Sequence, residues 1–135
     1  MRTQICGVIV HGKHLGRTMG FPTANVRPDA PSRAENGVYV ATIRVEGYAM
    51  PMPCMVNQGR HPTLPDGPST IEAHILDFAD DIYGLRAEVT YLKFLRPERR
   101  FPSVDALKAQ LTTDLAATRG WFAAQGGRAE GQSKN

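Results

Sequence analysis

The feature that most restricts the fold is a series of short strand-like segments, which fills the chain as far as about residue 97. The segments are GVIVH, which ends near His11, and then GVYVATIRVEG, MPMPCMVNQG, TIEAHILDF and LRAEVTYLKFLR. Gly, Pro or Asp turn signals bound them, and no helical pattern lies between them. Parallel strands need long crossover connections, usually helical. The sequence therefore predicts an antiparallel β-barrel or sandwich.

After these segments the apolar period changes. From Ser103 onward, apolar residues recur every three or four positions, with Ser103 placed to cap the helix and Asp105 in its first turn. This pattern predicts one amphipathic α-helix over about 103–123, with its leucines packed on the barrel. The remaining segment, 125–135, is polar and glycine-rich, which predicts a disordered tail after a single domain over 1–124.

Composition excludes several classes of protein. A chain of 135 residues, 41% hydrophobic and 21% charged, is typical of one globular domain. No stretch approaches the roughly 20 apolar residues of a membrane span, and no signal-peptide core begins the chain, which predicts a cytoplasmic protein without a membrane partner. Cys6 and Cys54 lack metal-site spacing and fit a reducing compartment. The pI near 9.1 suits anionic ligands such as nucleotides.

The segment GVIVHGKH, Gly7 to His14, resembles a phosphate-binding P-loop without its final Ser or Thr. A P-loop needs a buried strand before the first glycine and a helix after the lysine, whose hydroxyl neighbour holds Mg²⁺. Here Val8, Ile9 and Val10, which follow the first glycine, are β-branched and favour a strand. Further glycines and Pro22 oppose a helix afterwards. The segment is better interpreted as a strand followed by a glycine-rich loop.

The segment FPTAN contains the first candidate site. Pro22 restricts the backbone, and Thr23 and Asn25 are two residues apart, so in an extended segment their oxygen-bearing side chains share one face. Two neutral oxygens make a poor Mg²⁺ site alone, but a reasonable one when a nucleotide supplies phosphate oxygens. Alternatively, these side chains only satisfy turn hydrogen bonds.

The segment TIEAHILDF contains the second candidate. In a strand, Glu72 shares a face with His74, Leu76 and Phe78. A carboxylate with large apolar neighbours lies at a rim, is paired, or is functional, because burying it unpaired is costly. His74 fits a hydrogen-bonded structural histidine. The third candidate, YLKFLRPERRF, mixes arginines with aromatic residues, a combination suited to phosphate or a planar ring, or simply to a solvated turn.

These segments, taken in order, resemble a known family. LGRTMGFPTAN, GVYV, IEAHILDF-x-x-DIYG, FLRPERRF and S-x-x-ALKAQL-x-x-D together cover about residues 5–118 and resemble the riboflavin kinase family. They are most similar to the C-terminal kinase module of bacterial bifunctional riboflavin kinase/FAD synthetases. The resemblance implies an all-β fold with a C-terminal helix: a six-stranded antiparallel Greek-key β-barrel with the amphipathic helix packed on it.

The resemblance also implies a reaction and its site. Riboflavin kinases transfer the γ-phosphoryl group of ATP, with Mg²⁺, to the 5′-hydroxyl of riboflavin and form FMN and ADP. By motif position, Gly12 and Arg17 are expected to contact the ATP phosphates. Thr23 and Asn25 are expected to bind Mg²⁺ together with phosphate oxygens, and Glu72 is expected to accept the proton of the hydroxyl. The remaining expectations are nucleotide contact at Asn57 and Gly59, and flavin contact at Arg96 and Arg99.

Two departures from the family pattern leave alternatives open. His61 stands in the segment NQGRHPTLPDG where bacterial relatives usually have another residue, which puts the details of the 57–67 loop in question. The nucleotidyltransferase module of the bacterial proteins does not precede this domain, so the chain is either a stand-alone kinase or an excised domain. We expect a monomer that binds no nucleic acid. The alternative function is a catalytically silent flavin- or nucleotide-binding regulatory protein on the same fold.

Overall fold

The computed structural model describes residues 2–11, 21–60 and 67–133, and side chains as far as residue 125. Six β-strands precede one α-helix. The strands are β1 (Gln4–Val10), β2 (Ala24–Pro28), β3 (Gly37–Val45), β4 (Met52–Gly59), β5 (Thr70–Ile75) and β6 (Arg86–Pro97). The helix α1 spans Val104–Ser133.

The six strands form a closed antiparallel barrel in the order β1-β2-β5-β4-β3-β6. Pairing of β1 with β6, from Gln4 opposite Thr90 to Val8 opposite Arg86, closes the cylinder. The spatial order β6-β3-β4-β5 is that of a Greek key, in which a fourth strand returns beside the first of three consecutive ones. The predicted six-stranded Greek-key barrel is therefore confirmed. Its short strand β2 is the extended segment that begins after Thr23.

The core fills the interior of the barrel because side chains alternate between the two sides of each strand. On β3 the inward positions begin at Tyr39, and on β5 they are Ile71, Ala73 and Ile75. Burying an aliphatic side chain of this kind stabilises a fold by about 1.5–3 kcal/mol. The intervening residues, Glu72 among them, consequently lie on the outer side of the cylinder.

Two glycines allow neighbouring strands to approach closely. Gly7 lies opposite Pro28, and Gly37 lies opposite Pro97. A Cβ atom on Gly7 would lie 2.1 Å from the backbone oxygen of Arg27, and one on Gly37 would lie 2.3 Å from the backbone oxygen of Arg96. Any side chain at either position would push the strands apart, which explains why glycine occurs within these otherwise β-branched strands.

Helix α1 begins with the predicted cap. The hydroxyl of Ser103 accepts a hydrogen bond of 3.0 Å from the backbone N–H of Ala106, and Asp105 lies in the first turn. The helix continues to Ser133, so the sequence pattern places its end, near residue 123, too early. The division into a domain over 1–124 and a disordered tail over 125–135 stays a prediction. Within the described residues, no helix is long and apolar enough to cross a membrane.

Candidate active site

One row of paired residues crosses the outer side of the barrel wall. The strand register places Asn25 opposite Glu72, Glu72 opposite Asn57, Asn57 opposite Val38, and Val38 opposite Arg96. Residues directly opposite each other on adjacent strands point to the same side of a sheet. These five residues, on β2, β5, β4, β3 and β6, are called the outer row below. The barrel thus aligns four of the residues that the sequence singles out, although they are far apart along the chain.

The side chains of Thr23 and Glu72 contact each other directly. The Thr23 hydroxyl, Oγ1, donates a hydrogen bond of 3.2 Å to Oε1 of Glu72. Both residues are half-buried. A hydroxyl that donates its only hydrogen keeps lone pairs available for a second partner, such as a cation. Within the described residues, the second carboxylate oxygen of Glu72 has no hydrogen-bond partner, so it is available to accept a proton or a hydrogen bond.

The oxygen atoms available around Glu72 suit a metal that arrives with a nucleotide. Thr23 supplies a hydroxyl oxygen, and Asn25, in register with Glu72, supplies an amide oxygen. Among the described residues, no cluster of three or more His, Cys, Asp or Glu side chains could hold a metal ion. Neutral oxygens of this kind fit Mg²⁺ only when phosphate oxygens and water complete its coordination. The donor set is therefore consistent with the predicted Mg²⁺ site at Thr23 and Asn25.

Thr23 also borders a cavity of about 610 Å³. Apolar walls come from residues of the barrel interior such as Ile9 and Ile75. Its rim includes Asp80 and two stacked rings, those of His11 and Tyr83, with centroids 3.7 Å apart. A cavity with apolar walls and a few polar groups is typical of a small-molecule site. The sequence predicted no role for Asp80 or Tyr83, although Tyr83 belongs to the DIYG segment of the family resemblance.

Asn57 and Gly59 lie at the end of β4, where Glu98 approaches. Oε2 of Glu98 accepts a hydrogen bond of 2.8 Å from the backbone N–H of Arg60. A Cβ atom on Gly59 would lie 2.8 Å from the same oxygen and 3.8 Å from Oδ1 of Asn57. The absence of a side chain at Gly59 therefore lets the Glu98 carboxylate reach the backbone. Glu98 lies in the segment FLRPERRF, but the sequence alone predicted no role for it.

His74 is hydrogen-bonded, as its interpretation as a structural histidine requires. Its Nδ1 atom lies 2.8 Å from the backbone oxygen of Pro22, and its ring meets that of Phe21 edge-on, with centroids 5.8 Å apart. A carbonyl oxygen can only accept, so Nδ1 carries the hydrogen and donates it. His74 and Glu72 thus contact two consecutive residues, Pro22 and Thr23.

Sequence reasoning missed Gln58, which is fully buried beside Asn57. Its Oε1 accepts hydrogen bonds from Ser32 at 2.8 Å and Tyr91 at 2.7 Å. Its Nε2 donates to the backbone oxygen of Ala34 at 2.8 Å and to Oδ1 of Asn36 at 3.1 Å. Gln58 with these four partners is called the Gln58 cluster below. Strand alternation predicts that Gln58 points into the barrel, but it does not identify the hydrogen-bond partners of Gln58.

The other predicted residues fall into two groups. Gly12, Arg17 and His61 lie outside the described residues. Arg96 is half-buried in the outer row, two strands away from Asn57, whereas Arg99 is exposed and directly follows Glu98. The structure therefore brings Arg96 to the same face as Glu72. The role of Arg99 remains a prediction.

Comparison with known proteins identifies the family of this barrel. The flavokinase family model, described as riboflavin kinase, matches residues 1–122. The chain belongs to the riboflavin kinase family. Among its relatives, the bifunctional riboflavin kinase/FMN adenylyltransferase of Escherichia coli K12 is 42% identical over 118 residues, which are 87% of this chain and 37% of the relative.

Two further riboflavin kinases are similar to this chain. The RNA-binding riboflavin kinase RibR of Bacillus subtilis is 41% identical over 84% of this chain and 49% of its own length. A crystal structure of riboflavin kinase from Trypanosoma brucei superposes with a TM-score of 0.64 and 27% identity, covering 89% of this chain and 79% of that one. The chain spans less than two-fifths of the length of the E. coli protein. The region matched by the family model, residues 1–122, includes all six strands of the β-barrel.

Proposed function

We propose that this chain is a riboflavin kinase, which transfers the γ-phosphoryl group of Mg-ATP to the 5′-hydroxyl of riboflavin and releases FMN and ADP. The observation that carries the proposal is the hydrogen bond between Thr23 and Glu72 at the edge of the cavity, with Asn25 paired to Glu72 in the outer row. Oxygen donors for a metal–phosphate complex lie here beside a carboxylate that can take a proton. Family membership supports the same reaction.

Glu72 is the proposed general base. The riboflavin 5′-hydroxyl loses its proton to the Glu72 carboxylate as its oxygen bonds to the γ-phosphorus, and the bond from that phosphorus to the β–γ bridging oxygen breaks. A positioned base of this kind typically contributes about 10² to 10⁴ in rate. The hydrogen bond from Thr23 holds one carboxylate oxygen and leaves the other to face the hydroxyl.

Thr23 and Asn25 are the proposed protein ligands of Mg²⁺, together with phosphate oxygens. When bound, the ion would neutralise charge on the transferring phosphoryl group, the main requirement of this reaction. Thr23 would orient its hydroxyl toward the ion through its hydrogen bond to Glu72. The phosphates would then lie at the edge of the cavity that Thr23 borders.

The remaining roles rest on motif position within the family resemblance. We assign the nucleotide to the cavity, with Gly12 and Arg17 at its phosphates, and Asn57 and Gly59 at the nucleotide-contacting end of β4. Arg96, in the outer row, and Arg99 are assigned to the flavin. The partners are thus riboflavin or FMN and ATP or ADP. We further propose a cytoplasmic monomer that binds neither membrane nor nucleic acid; the mild net charge of +3 agrees with the last point.

A direct assay tests the proposal. Purified protein is mixed with riboflavin and Mg-ATP, and FMN and ADP are separated by chromatography. We expect both products in equal amounts and none when EDTA removes Mg²⁺. Folded protein that binds both substrates but forms no FMN would support the silent regulatory protein instead. That alternative is disfavoured because Thr23, Asn25 and Glu72 are all present and adjacent.

A further inference from the structure

We propose that His74 is a positioning residue that sets the place of Thr23 through the carbonyl group of Pro22. This inference rests on the proposed kinase function, since Thr23 matters there as a ligand of Mg²⁺. It assigns a function to a side chain that does not itself reach the reacting groups in the proposed reaction. Its basis is the way in which β5 holds the segment immediately before β2.

Backbone pairing does not reach this segment. In the β2–β5 ladder, the first pair at this end joins Ala24 to Ala73, so Pro22 and Thr23 lie beyond the ladder. Proline also has no backbone N–H, and its carbonyl is its only hydrogen-bonding group. A single hydrogen bond from His74, 2.8 Å long, satisfies that carbonyl. The side chain of His74 therefore holds a part of the backbone that strand pairing does not reach.

The geometry transmits this contact to Thr23. The Pro22 carbonyl belongs to the rigid peptide plane that ends at the Cα atom of Thr23, so holding the oxygen restricts that atom. Thr23 is β-branched and stiff at χ1, so fixing its backbone also directs its hydroxyl. That hydroxyl bonds to Glu72, two residues before His74 on the same face of β5. Two side chains of one strand thus hold two consecutive residues of the segment.

The surroundings of His74 suit a fixed ring. The residue is 9% exposed, and the ring of Phe21, 8% exposed, packs edge-on against it. Phe21 directly precedes Pro22, so the imidazole contacts both residues before Thr23. Loss of a group that positions a metal ligand should lower the reaction rate substantially, because a displacement of about 1 Å at a reacting site can lower the rate 10²-fold.

Three substitutions separate positioning from simple structural support. His74→Asn keeps an N–H donor at the place of Nδ1, whereas His74→Leu has nearly the same size as asparagine and no donor. His74→Gln is polar, but its amide reaches the place of Nε2 instead. Val89→Ala serves as the control for a general loss of packing, because Val89 is a core residue of β6, three strands from β5 around the barrel.

The first measurement is steady-state FMN formation. We expect kcat/KM for Mg-ATP to fall about tenfold or more in His74→Leu and His74→Gln, and to stay within about threefold of the parent in His74→Asn. The KM for riboflavin should change little. If the leucine variant does not fold, the test is the difference in kcat/KM between the glutamine and asparagine variants. Equal losses in the asparagine and glutamine variants would overturn the inference.

The second measurement needs neither substrate nor metal. Amide hydrogen exchange over residues 21–26 of the ligand-free protein should be at least about tenfold faster in His74→Leu and His74→Gln than in the parent. His74→Asn and Val89→Ala should leave it unchanged. Unchanged exchange in the leucine and glutamine variants would refute the role of His74 even in an active kinase. A parent protein that makes no FMN would refute the kinase proposal alone, because exchange would still report on His74.

Discussion

Asn57 and Gln58 are neighbours on β4, and they belong to two polar regions of opposite character. Gln58 points into the barrel, has no exposed surface, and has all four of its hydrogen-bonding positions occupied by the Gln58 cluster. Asn57 points outward, is exposed, and lies in the outer row beside Glu72. Gln58 uses all its hydrogen-bonding capacity within the protein, whereas the side chain of Asn57 makes no hydrogen bond among the described residues.

We therefore expect two consecutive residues of β4 to serve different purposes: Gln58 stabilises the fold, and Asn57 contributes to function. A buried polar group must be fully paired because an unpaired one costs about 1–3 kcal/mol. A polar group that is to bind substrate must instead keep a free donor or acceptor. Substitutions in the Gln58 cluster should therefore affect unfolding, and those in the outer row should affect turnover. The four predictions below test that separation.

The largest effect is expected for Glu72→Gln. Glutamine keeps the shape of the side chain and can accept the hydrogen bond from Thr23, but it cannot take a proton. We expect kcat to fall by roughly 10² or more while riboflavin and Mg-ATP still bind. Steady-state FMN production gives the rate, and thermal melting checks the fold. Turnover within a few-fold of the parent in a folded variant would remove Glu72 from the mechanism.

The opposite pattern is expected for Gln58→Leu. Leucine fits the apolar interior but leaves the hydroxyls of Ser32 and Tyr91 and the carbonyl of Ala34 without their partner. The free energy of unfolding should fall by about 2–3 kcal/mol, as measured by urea denaturation. The matched control is Asn57→Ala, which should cost less than about 0.5 kcal/mol because it is exposed. Equal costs at the two positions would contradict the comparison.

A smaller effect is expected for Tyr91→Phe. The Tyr91 hydroxyl donates to Gln58 at 2.7 Å, and its removal leaves Gln58 with one donor to the same oxygen, from Ser32. We expect a loss of about 1 kcal/mol in unfolding free energy. In combination with Gln58→Leu, the loss should be smaller than the sum of the two single losses, because the two residues share one hydrogen bond. Strict additivity would show that this bond contributes nothing.

The smallest effect is a loss of stability in alkali. Burial raises the pKa of the Cys54 thiol and of the Tyr91 hydroxyl above their ordinary values of 9.0 and 10.0. The folded barrel keeps these protons above pH 9 while the unfolded chain releases them, so stability should fall as pH rises from there. We expect about 1 kcal/mol less at pH 9.5 than at pH 8.

Denaturation curves at the two pH values measure this loss. Cys54→Ala and Tyr91→Phe should each reduce it, because each removes one of the titrating groups. Glu72→Gln, on the outer row, should leave it unchanged. A loss that is the same in the cysteine and tyrosine variants as in the parent would show that the buried groups are not its source.

The sequence predicted most of the barrel because strand alternation and turns are local signals. Five strands followed from pattern alone, and the cap at Ser103 is confirmed by its hydrogen bond to Ala106. The short strand β2 was interpreted only as an extended segment, because its pairing partners β1 and β5 lie elsewhere in the chain. The end of α1 was misplaced because a polar, glycine-rich segment carries no apolar period.

The candidate site was predictable by residue type but not by arrangement. The spacing of Thr23 and Asn25, and the face on which Glu72 lies, followed from strand geometry. The register that pairs Asn25 with Glu72 and Asn57 could not be deduced, since it depends on how distant strands align. The same limit hid the contact between His74 and Pro22, which joins residues 52 positions apart.

Closure of the barrel by β1 and β6 bears on when the site forms during synthesis. A nascent chain that ends before residue 86 lacks the partner of both β1 and β3, and so exposes two open strand edges. Every outer-row residue except Arg96 has already been synthesised by then. Asn25, Glu72 and Asn57 are therefore synthesised before the strand that closes the barrel around them. The strand register that aligns the proposed site is complete only once β6 has paired with both β1 and β3.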